Sequence, residues 1–413
     1  MPGVPDGRSR RVLMLAYYFP PIGGAGVQRT VKYVKYLPEY GWESTVVTTR
    51  STAYPAQDPA LAAEVPRGTR VIRTPEIPRA SLPSMALSRL GMRSLARVAA
   101  FPDGGLGWGP GALGAALRAI AASRPDALYS TSAPYSAHLA AWAVHARTGI
   151  PWVADFRDEW AANPHTSGDP ASVRAAARRL EATIVARATA VTYAADYFDI
   201  PAVGAVVIPN GVDEADLPDG APPGRDGELR LTYVGTLYAD QDAGPVFAAL
   251  TRLVERGAID PERVRLRIVG NNWLPPGGAR CPVPIEATGY VTHAHALREM
   301  AAASALVHYV APASKAPGGK LYEYLASGRP ILCVARLDGA SASLVREAGA
   351  GPVVAPDDGA GIERAILDLH DRWRRGQRSE QPQVRQWVLE RYSRRALARR
   401  LASVLDVAVG QAE

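Results

Sequence analysis

The chain has 413 residues, more than the ~250–300 at which a single core usually stops growing, so two domains are expected. A composition of 47% hydrophobic and 21% charged residues excludes a disordered or fibrous protein, and two cysteines exclude a disulfide framework. The net charge of +7 favours an anionic ligand or surface. It is spread along the chain without a basic aromatic platform or a helix-turn-helix pattern, so we expect no nucleic-acid partner.

Two series of short apolar strands that alternate with helical patterns predict an α/β protein of the doubly wound, Rossmann-like class with parallel sheets. The first series has strands at 11–19, 43–49, 69–74, 127–131, 151–156 and 190–195 and helices at 26–37, 112–122, 136–147 and 172–187. After a linker rich in Pro, Gly and Asp at 209–228, the second series has strands at 229–235, 264–270, 305–310 and 330–335 and helices at 243–256, 294–302, 320–327, 341–348 and 360–375. We therefore predict two domains that face one another.

Two arginine-rich segments have apolar residues at roughly helical spacing. We interpret 384–408 as one long amphipathic helix that packs across a domain face, and 79–101 as a surface helix that is the better candidate for contact with a membrane. The predicted boundaries are 1–212, 213–383 and a terminal helix at 384–413. Neither a signal peptide nor a membrane-spanning run of ~18 apolar residues is visible, so we expect a cytoplasmic protein, with peripheral contact at the inner membrane face as an alternative.

The first strand leads through the glycine-rich loop "PPIGGAG" into a helix, where Gly23 and Gly24 allow close backbone approach to a phosphate or sugar. A simple tight turn is the alternative. The following helix is predicted to bury Val27, Val31, Val34 and Leu37 and to leave Gln28, Arg29, Lys32 and Lys35 facing water or an anionic acceptor.

Asp155 and Arg157 in "VADFRDEW" follow another strand, at the sheet edge where open α/β sheets bind ligands. Carboxylates there are compatible with glycoside hydrolysis, and an internal Arg–Asp pair is the alternative. Ser132 lacks the pattern of a catalytic nucleophile. His293 and His295 lack a third metal ligand, so no metal site is predicted.

In the second half, a strand turns at Gly235 and Thr236, and "GGKLYEYLASGRP" begins a short helix with Lys320 and Glu323 in its first turn. The helix terminus and Lys320 favour a diphosphate, and the carboxylate one turn further suits a pair of ribose hydroxyls. Stabilisation of the helix start by Glu323, with Lys320 solvated, is the alternative.

Taken together, seven motifs in a fixed order cover nearly the whole chain and resemble the GT-B glycosyltransferases, most closely the large retaining family 4 group. They are "YYFPPIGGAGVQR", "DFRDEW", "VIPNGVD", "YVGTLY", "TGYV", "KLYEYLASGRPIL" and "ERYSRRALARRLASVL". This resemblance implies two Rossmann-like domains, a C-terminal crossover helix, and transfer of a sugar from a nucleotide sugar to a hydroxyl acceptor with retention. The pathway would be polysaccharide or natural-product biosynthesis.

The resemblance also implies site residues. Donor contacts would come from Gly23, Gly24, Gly235, Thr236, Tyr290, Val291, Lys315, Gly319, Lys320, Leu321 and Glu323, and acceptor contacts from Gln28, Arg29, Ser132, Asp155 and Arg157. Lys320 and Asp155 are the candidate catalytic groups, and neither a metal nor a cofactor is implied. The acceptor would be a glycan, a lipid-linked sugar or a small molecule. An epimerase or hydrolase of the same fold, or a non-catalytic binding protein, remains the alternative.

Three positions depart from the family pattern. The first glutamate of its Glu-x7-Glu pair is replaced by Lys315, the basic residues common after the "VG" turn are absent, and Ser132 stands where many relatives have a histidine. The departures at Lys315 and Ser132 concern the sugar end of the site, and the missing basic residues leave neutralisation of the phosphates to Lys320 and Lys315.

Overall fold

A computed structural model describes residues 9–23, 25–50, 58–77, 82–163, 168–195, 198, 204–218, 227–235, 243–270, 281–310, 317–377 and 380–411. The chain divides into two compact units, Met1–Asn210 with Arg394–Glu413 (unit 1) and Gly211–Ser393 (unit 2).

Unit 1 is built on a parallel sheet of seven strands in the order β3-β2-β1-β4-β5-β6-β7. Its strands are β1 (Arg10–Leu15), β2 (Trp42–Thr49), β3 (Arg70–Thr74), β4 (Ala127–Ser132), β5 (Trp152–Phe156), β6 (Ala190–Tyr193) and β7 (Val206–Val207). Its helices are α1 (Ala25–Tyr36), α2 (Pro59–Ala63), α3 (Leu82–Arg89), α4 (Arg93–Ala99), α5 (Gly109–Ala122), α6 (Ser136–Thr148) and α7 (Ala171–Arg187).

Unit 2 repeats this plan with six parallel strands in the order β10-β9-β8-β11-β12-β13. Its strands are β8 (Leu229–Val234), β9 (Val264–Val269), β10 (Ile285–Ala287), β11 (Ala305–Tyr309), β12 (Ile331–Val334) and β13 (Val353–Val354). Its helices are α8 (Gly244–Glu255), α9 (His293–Ala302), α10 (Gly319–Ala326), α11 (Ala340–Ala348), α12 (Gly359–Arg374) and α13 (Pro382–Tyr392).

The prediction of a doubly wound α/β protein is confirmed, because both sheets are parallel and reverse their strand order beside the first strand of the series. In unit 1 this reversal lies between β1 and β4, and in unit 2 between β8 and β11. The carboxyl ends of these strands lead into the loops that carry most of the predicted site residues.

The segment from 384 is two helices rather than one. α13 ends at Tyr392, Ser393 has an extended backbone with φ −64° and ψ 144°, and α14 (Arg394–Gly410) then belongs to unit 1. Leu397, Leu401 and Leu405 of α14 are fully buried in the core formed with α1 and β1. At about 1.5–3 kcal/mol for each buried leucine, this helix is an integral part of the core of unit 1.

The segment at 79–101 also contains two helices, α3 and α4, with Gly91 at φ 74° between them. Among the described residues, no helix is long and apolar enough to cross a membrane.

Candidate functional site

The end of β8 in unit 2 is shaped for close approach. Gly235 follows the strand with φ 152°, a backbone conformation that residues other than glycine rarely adopt. Its N–H donates to the Val269 carbonyl at 2.8 Å. A β-carbon at Gly235 would lie 3.1 Å from the Tyr233 hydroxyl and 3.5 Å from Cδ of Lys320. The turn after β8 and the start of α10 therefore meet at the strand-order reversal of unit 2.

The start of α10 offers backbone N–H groups and a lysine. Gly318 precedes the helix at φ 67°, and Gly319 and Lys320 open its first turn at the surface. Although Lys320 contacts solvent, surrounding protein removes enough water from its ammonium group to lower its pKa below the usual lysine value, and the Glu323 carboxylate opposes this shift. This end of the helix suits an anion, because a negative charge beside Lys320 would favour its protonated form and raise its pKa again.

Glu323 is half-buried one turn into α10, and Nε2 of His293 lies 2.9 Å from its Oε1. His293 is the first residue of α9, which Thr292 caps by accepting a hydrogen bond from the His295 N–H. The sequence predicted no metal site at this histidine, and it did not predict the contact with Glu323 either. The only available signal was that a helix start follows the short segment "TGYV".

Tyr324 joins β8 to α10. Its hydroxyl accepts a hydrogen bond from the Val234 N–H at 2.6 Å and donates one to the Val234 carbonyl at 3.1 Å. Burial raises the pKa of Tyr324 well above its usual value. This double contact fixes the strand end against the helix that carries Lys320 and Glu323, and the sequence did not predict it.

The other predicted donor residues in unit 2 have different environments. Tyr290 is 79% exposed, Val291 packs against the unit 2 core, and Leu321 is fully buried in that core. Leu321 can therefore contribute only its backbone to a ligand. Gly24, Thr236 and Lys315 lie outside the described residues.

Asp155 lies at the centre of a buried hydrogen-bond network in unit 1. Arg29 donates to it through Nη2 at 2.7 Å and Nε at 3.0 Å, and three hydroxyls also donate, those of Tyr129, Thr131 and Thr192. Burial opposes ionisation, but Arg29 and the hydroxyls outweigh it and lower the pKa of Asp155 to about 2.

This geometry corrects two expectations from the sequence. The side chains of Asp155 and Arg29 are each 1% exposed, so in this arrangement neither can contact an acceptor, and Asp155 is not placed to exchange protons with a substrate. The internal Arg–Asp pair that the sequence left open is present, but the arginine comes from α1 rather than from the same loop.

The predicted polar face of α1 is also largely buried. Lys32 is 1% exposed and its Nζ lies 2.5 Å from the Glu64 carboxylate, which Lys35 also contacts at 2.8 Å. Gln28 is half-buried on the same helix. The expectation that Arg29 and Lys32 face water or an acceptor is therefore wrong, because each has a carboxylate partner inside unit 1.

Arg157 and Ser132 lie at the carboxyl ends of β5 and β4. The Arg157 guanidinium donates to the carbonyls of Gly26, Ser132 and Ala133, and so holds the start of α1 against the end of β4. The Ser132 hydroxyl is buried and has no hydrogen-bond partner within the described part of the chain. Gly23 is buried in the loop after β1.

A serine–histidine pair in unit 1 was not predicted. Nδ1 of His138 lies 2.8 Å from the Ser130 hydroxyl, which accepts a hydrogen bond from Trp152 Nε1 at 2.8 Å. Burial lowers the pKa of His138 to about 3. Both residues are fully buried, so no substrate can reach them and the pair stabilises the core.

Comparisons with known proteins agree on one kind of enzyme. Residues 23–211 match the family described as Glycosyl transferase 4-like domain, and residues 228–372 match Glycosyl transferases group 1. Comparison with curated protein sequences finds no match.

Solved structures share the fold at low sequence identity. Sucrose-phosphate synthase from Thermosynechococcus elongatus has a TM-score of 0.64 at 14% identity, with 97% of this chain and 100% of that chain covered. HepE from Anabaena, in complex with UDP and glucose, has a TM-score of 0.61 at 14% identity over 96% of this chain and 100% of its own. TarM has a TM-score of 0.62 at 10% identity, with 96% of this chain and 99% of that chain covered.

Proposed function

Because the chain belongs to the GT-B glycosyltransferases of the 4-like and group 1 families, we propose that it transfers a sugar from a nucleotide sugar to a hydroxyl acceptor with retention of configuration. Unit 2 binds the donor, and the loops after β1, β4 and β5 of unit 1 contact the acceptor. The observation that carries this proposal is the meeting of Gly235 with the start of α10 at the strand-order reversal of unit 2.

The diphosphate binds where backbone and charge converge. Gly235, having no side chain, leaves room for phosphate oxygens beside β8, and the N–H groups at the start of α10 donate to them. Lys320 supplies a positive charge at the same end of the helix. HepE, a structural relative, has been solved in complex with UDP-glucose, which supports a nucleotide-sugar donor here.

The ribose binds to Glu323. A carboxylate has about four lone-pair sites, so Glu323 can accept hydrogen bonds from two ribose hydroxyls while Oε1 keeps its contact with His293. His293 thus positions the carboxylate before the donor arrives. The exposed ring of Tyr290 is available to stack on the base.

The reaction needs no nucleophile from the protein. The bond between the anomeric carbon and the diphosphate oxygen breaks, the acceptor oxygen forms its bond on the same face, and the acceptor proton passes to a diphosphate oxygen. Lys320 and the N–H groups of α10 stabilise the charge that develops on the departing diphosphate. On this scheme the positive charge that a metal would supply comes from the protein, and Asp155 stabilises the fold.

In this proposal the acceptor contacts come from unit 1. Ser132 lies at the end of β4, beside the strand-order reversal, but its side chain is fully buried, so in this arrangement its hydroxyl does not contact the sugar or the acceptor. Gly23, Gln28 and Arg157 line the same sheet edge. The acceptor is a glycan, a lipid-linked sugar or a small natural product.

A panel of nucleotide sugars tests the proposal. A donor at 100 times its dissociation constant should stabilise the native protein by roughly 2.7 kcal/mol, so thermal unfolding identifies the base and sugar. Transfer is then measured with candidate acceptors, and the anomeric configuration of the product is read by NMR. An inverted product would refute retention. Free nucleotide formed without an acceptor would instead indicate a hydrolase or epimerase, and tight binding without turnover a binding protein.

Two variants test the site. Lys320→Met should lower transfer roughly 10- to 100-fold, because charged hydrogen bonds contribute about 1.5–3 kcal/mol. Glu323→Gln should weaken donor binding more than it lowers kcat, because ribose contacts are the same in the ground and transition states. The matched controls are Arg298→Met on α9 and Glu347→Gln on α11, both exposed. If the control variants lowered transfer and donor binding as much as the Lys320 and Glu323 variants do, these two residues would not belong to the donor site.

A further inference from the structure

The hairpin of α3 (Leu82–Arg89) and α4 (Arg93–Ala99) in unit 1, together with Ile77 before it, has an unusual surface. Eleven large hydrophobic side chains of the described chain are exposed, and six of them lie in this segment. They are Ile77 (51% exposed), Met85 (49%), Leu90 (71%), Met92 (39%), Leu95 (55%) and Val98 (51%). More than half of the exposed large hydrophobic side chains of the described residues are thus concentrated in one short segment, which indicates a docking site rather than an ordinary helix face.

The charges of the hairpin have one sign. Residues 77–100 contain four arginines, at positions 79, 89, 93 and 97, and neither aspartate, glutamate nor lysine. Arg89 is exposed, and Arg97 is 56% exposed although its Nε lies 3.0 Å from the Asp169 carboxylate. A partner for this surface must therefore accept apolar side chains and carry negative charge.

We propose that the α3–α4 hairpin docks unit 1 onto the surface of a bilayer that contains anionic phospholipids. Leucine, methionine and valine side chains enter the boundary between headgroups and acyl chains, and Arg89 and Arg97 contact lipid phosphates. The helices have eight and seven residues, so they lie along the surface and do not cross it.

A second copy of the chain fits this surface less well. In a two-fold symmetric dimer the same patch meets itself, which would set the arginines of one hairpin against those of the other with no carboxylate of residues 77–100 between them. Asp169 is the nearby acid that the structure shows, and it is already paired with Arg97. Charge complementarity therefore selects an anionic surface.

Vesicle flotation of the full chain tests the proposal without donor or acceptor, so its failure would leave the proposed transfer reaction unaffected. The wild type should float with vesicles of phosphatidylcholine and phosphatidylglycerol, bind phosphatidylcholine alone far less, and be released by salt. The double variant Leu90→Asp with Leu95→Asp should lower binding at least about tenfold. Arg89→Glu should lower it roughly fivefold or more and weaken its salt dependence.

Leu337→Asp in unit 2 is the matched control, because Leu337 is 50% exposed and lies outside the hairpin. This control should float like the wild type, and all variants should keep the wild-type melting temperature. Absence of wild-type binding to the anionic vesicles would overturn the proposal, as would equal loss in the control. So would a wild-type dimer that the Leu90 and Leu95 substitutions dissociate, because a second copy would then cover the hairpin.

Discussion

Replacing Asp155 by asparagine distinguishes a structural carboxylate from a catalytic one. The substitution leaves the Arg29 guanidinium, in a side chain only 1% exposed, without its two charged hydrogen bonds. Breaking a buried ion pair in this way costs about 3–5 kcal/mol. Since whole proteins are stable by only about 5–15 kcal/mol, unit 1 should unfold markedly earlier in denaturant.

Hydrogen exchange of the β4 and β5 amides is the suitable assay, because these strands belong to unit 1 alone. Exchange from native protein reports the stability of that unit separately from unit 2. The control is Asp158→Asn, an exposed carboxylate just after β5 and three positions beyond Asp155, which should change stability by less than about 0.5 kcal/mol.

The pH dependence supplies a second measure of the same contribution. The pKa of Asp155 is lowered in the folded protein from 3.8 to about 2. Its contribution to stability is therefore present above pH 3.8 and is lost as the pH falls towards 2, and it amounts to about 2 kcal/mol. An Asp155→Asn protein with wild-type exchange rates but no transfer activity would refute the structural assignment.

Gly235→Ala should weaken donor binding and lower the stability of unit 2 by about 1–3 kcal/mol, because φ 152° is a strained backbone conformation for alanine. Isothermal titration measures the donor affinity, and denaturant unfolding measures the stability. Tyr324→Phe should cost about 1–3 kcal/mol, because the Val234 N–H and carbonyl lose a buried partner; unchanged unfolding would contradict this. The donor should bind most tightly when Lys320 is protonated, that is, below the lowered pKa that Lys320 has in the free protein. Its affinity should fall as the pH rises from there through the higher pKa that Lys320 has in the donor complex. Lys320→Arg, which does not titrate in this range, should remove that fall, and an identical pH profile would exclude Lys320 from the site.

The end of β8 at Gly235 and the start of α10 at Gly319 could be predicted because their signals are local. A strand that ends in glycine, and a helix that opens with two glycines, a lysine and a glutamate, are each contained within a few residues. Their meeting follows from the strand order, since β8 and β11 adjoin at the reversal of the sheet. Most long strands and helices of both units were predicted for the same reason, with ends within a few residues.

The errors concern contacts between residues far apart in sequence. Arg29 and Asp155 are separated by 126 positions, and Lys32 and Glu64 by 32, so a helical pattern that assigns charges to water cannot detect their pairing. The strands β7 and β13 have two residues each, too few to show alternation. The break at Ser393 interrupts an apolar pattern that continues on both sides, so the sequence showed one helix where there are two.

The position of α14 has a consequence for how the protein is made. Unit 2 is one continuous segment, whereas unit 1 needs α14, which is synthesised only after all of unit 2. Until then the core of residues 9–210 lacks Leu397, Leu401 and Leu405, and the apolar surface that these side chains cover is open to water. On the ribosome, therefore, unit 2 can complete its folding before unit 1. Until α14 is synthesised, unit 1 stays incompletely folded, with exposed apolar surface that chaperones can bind.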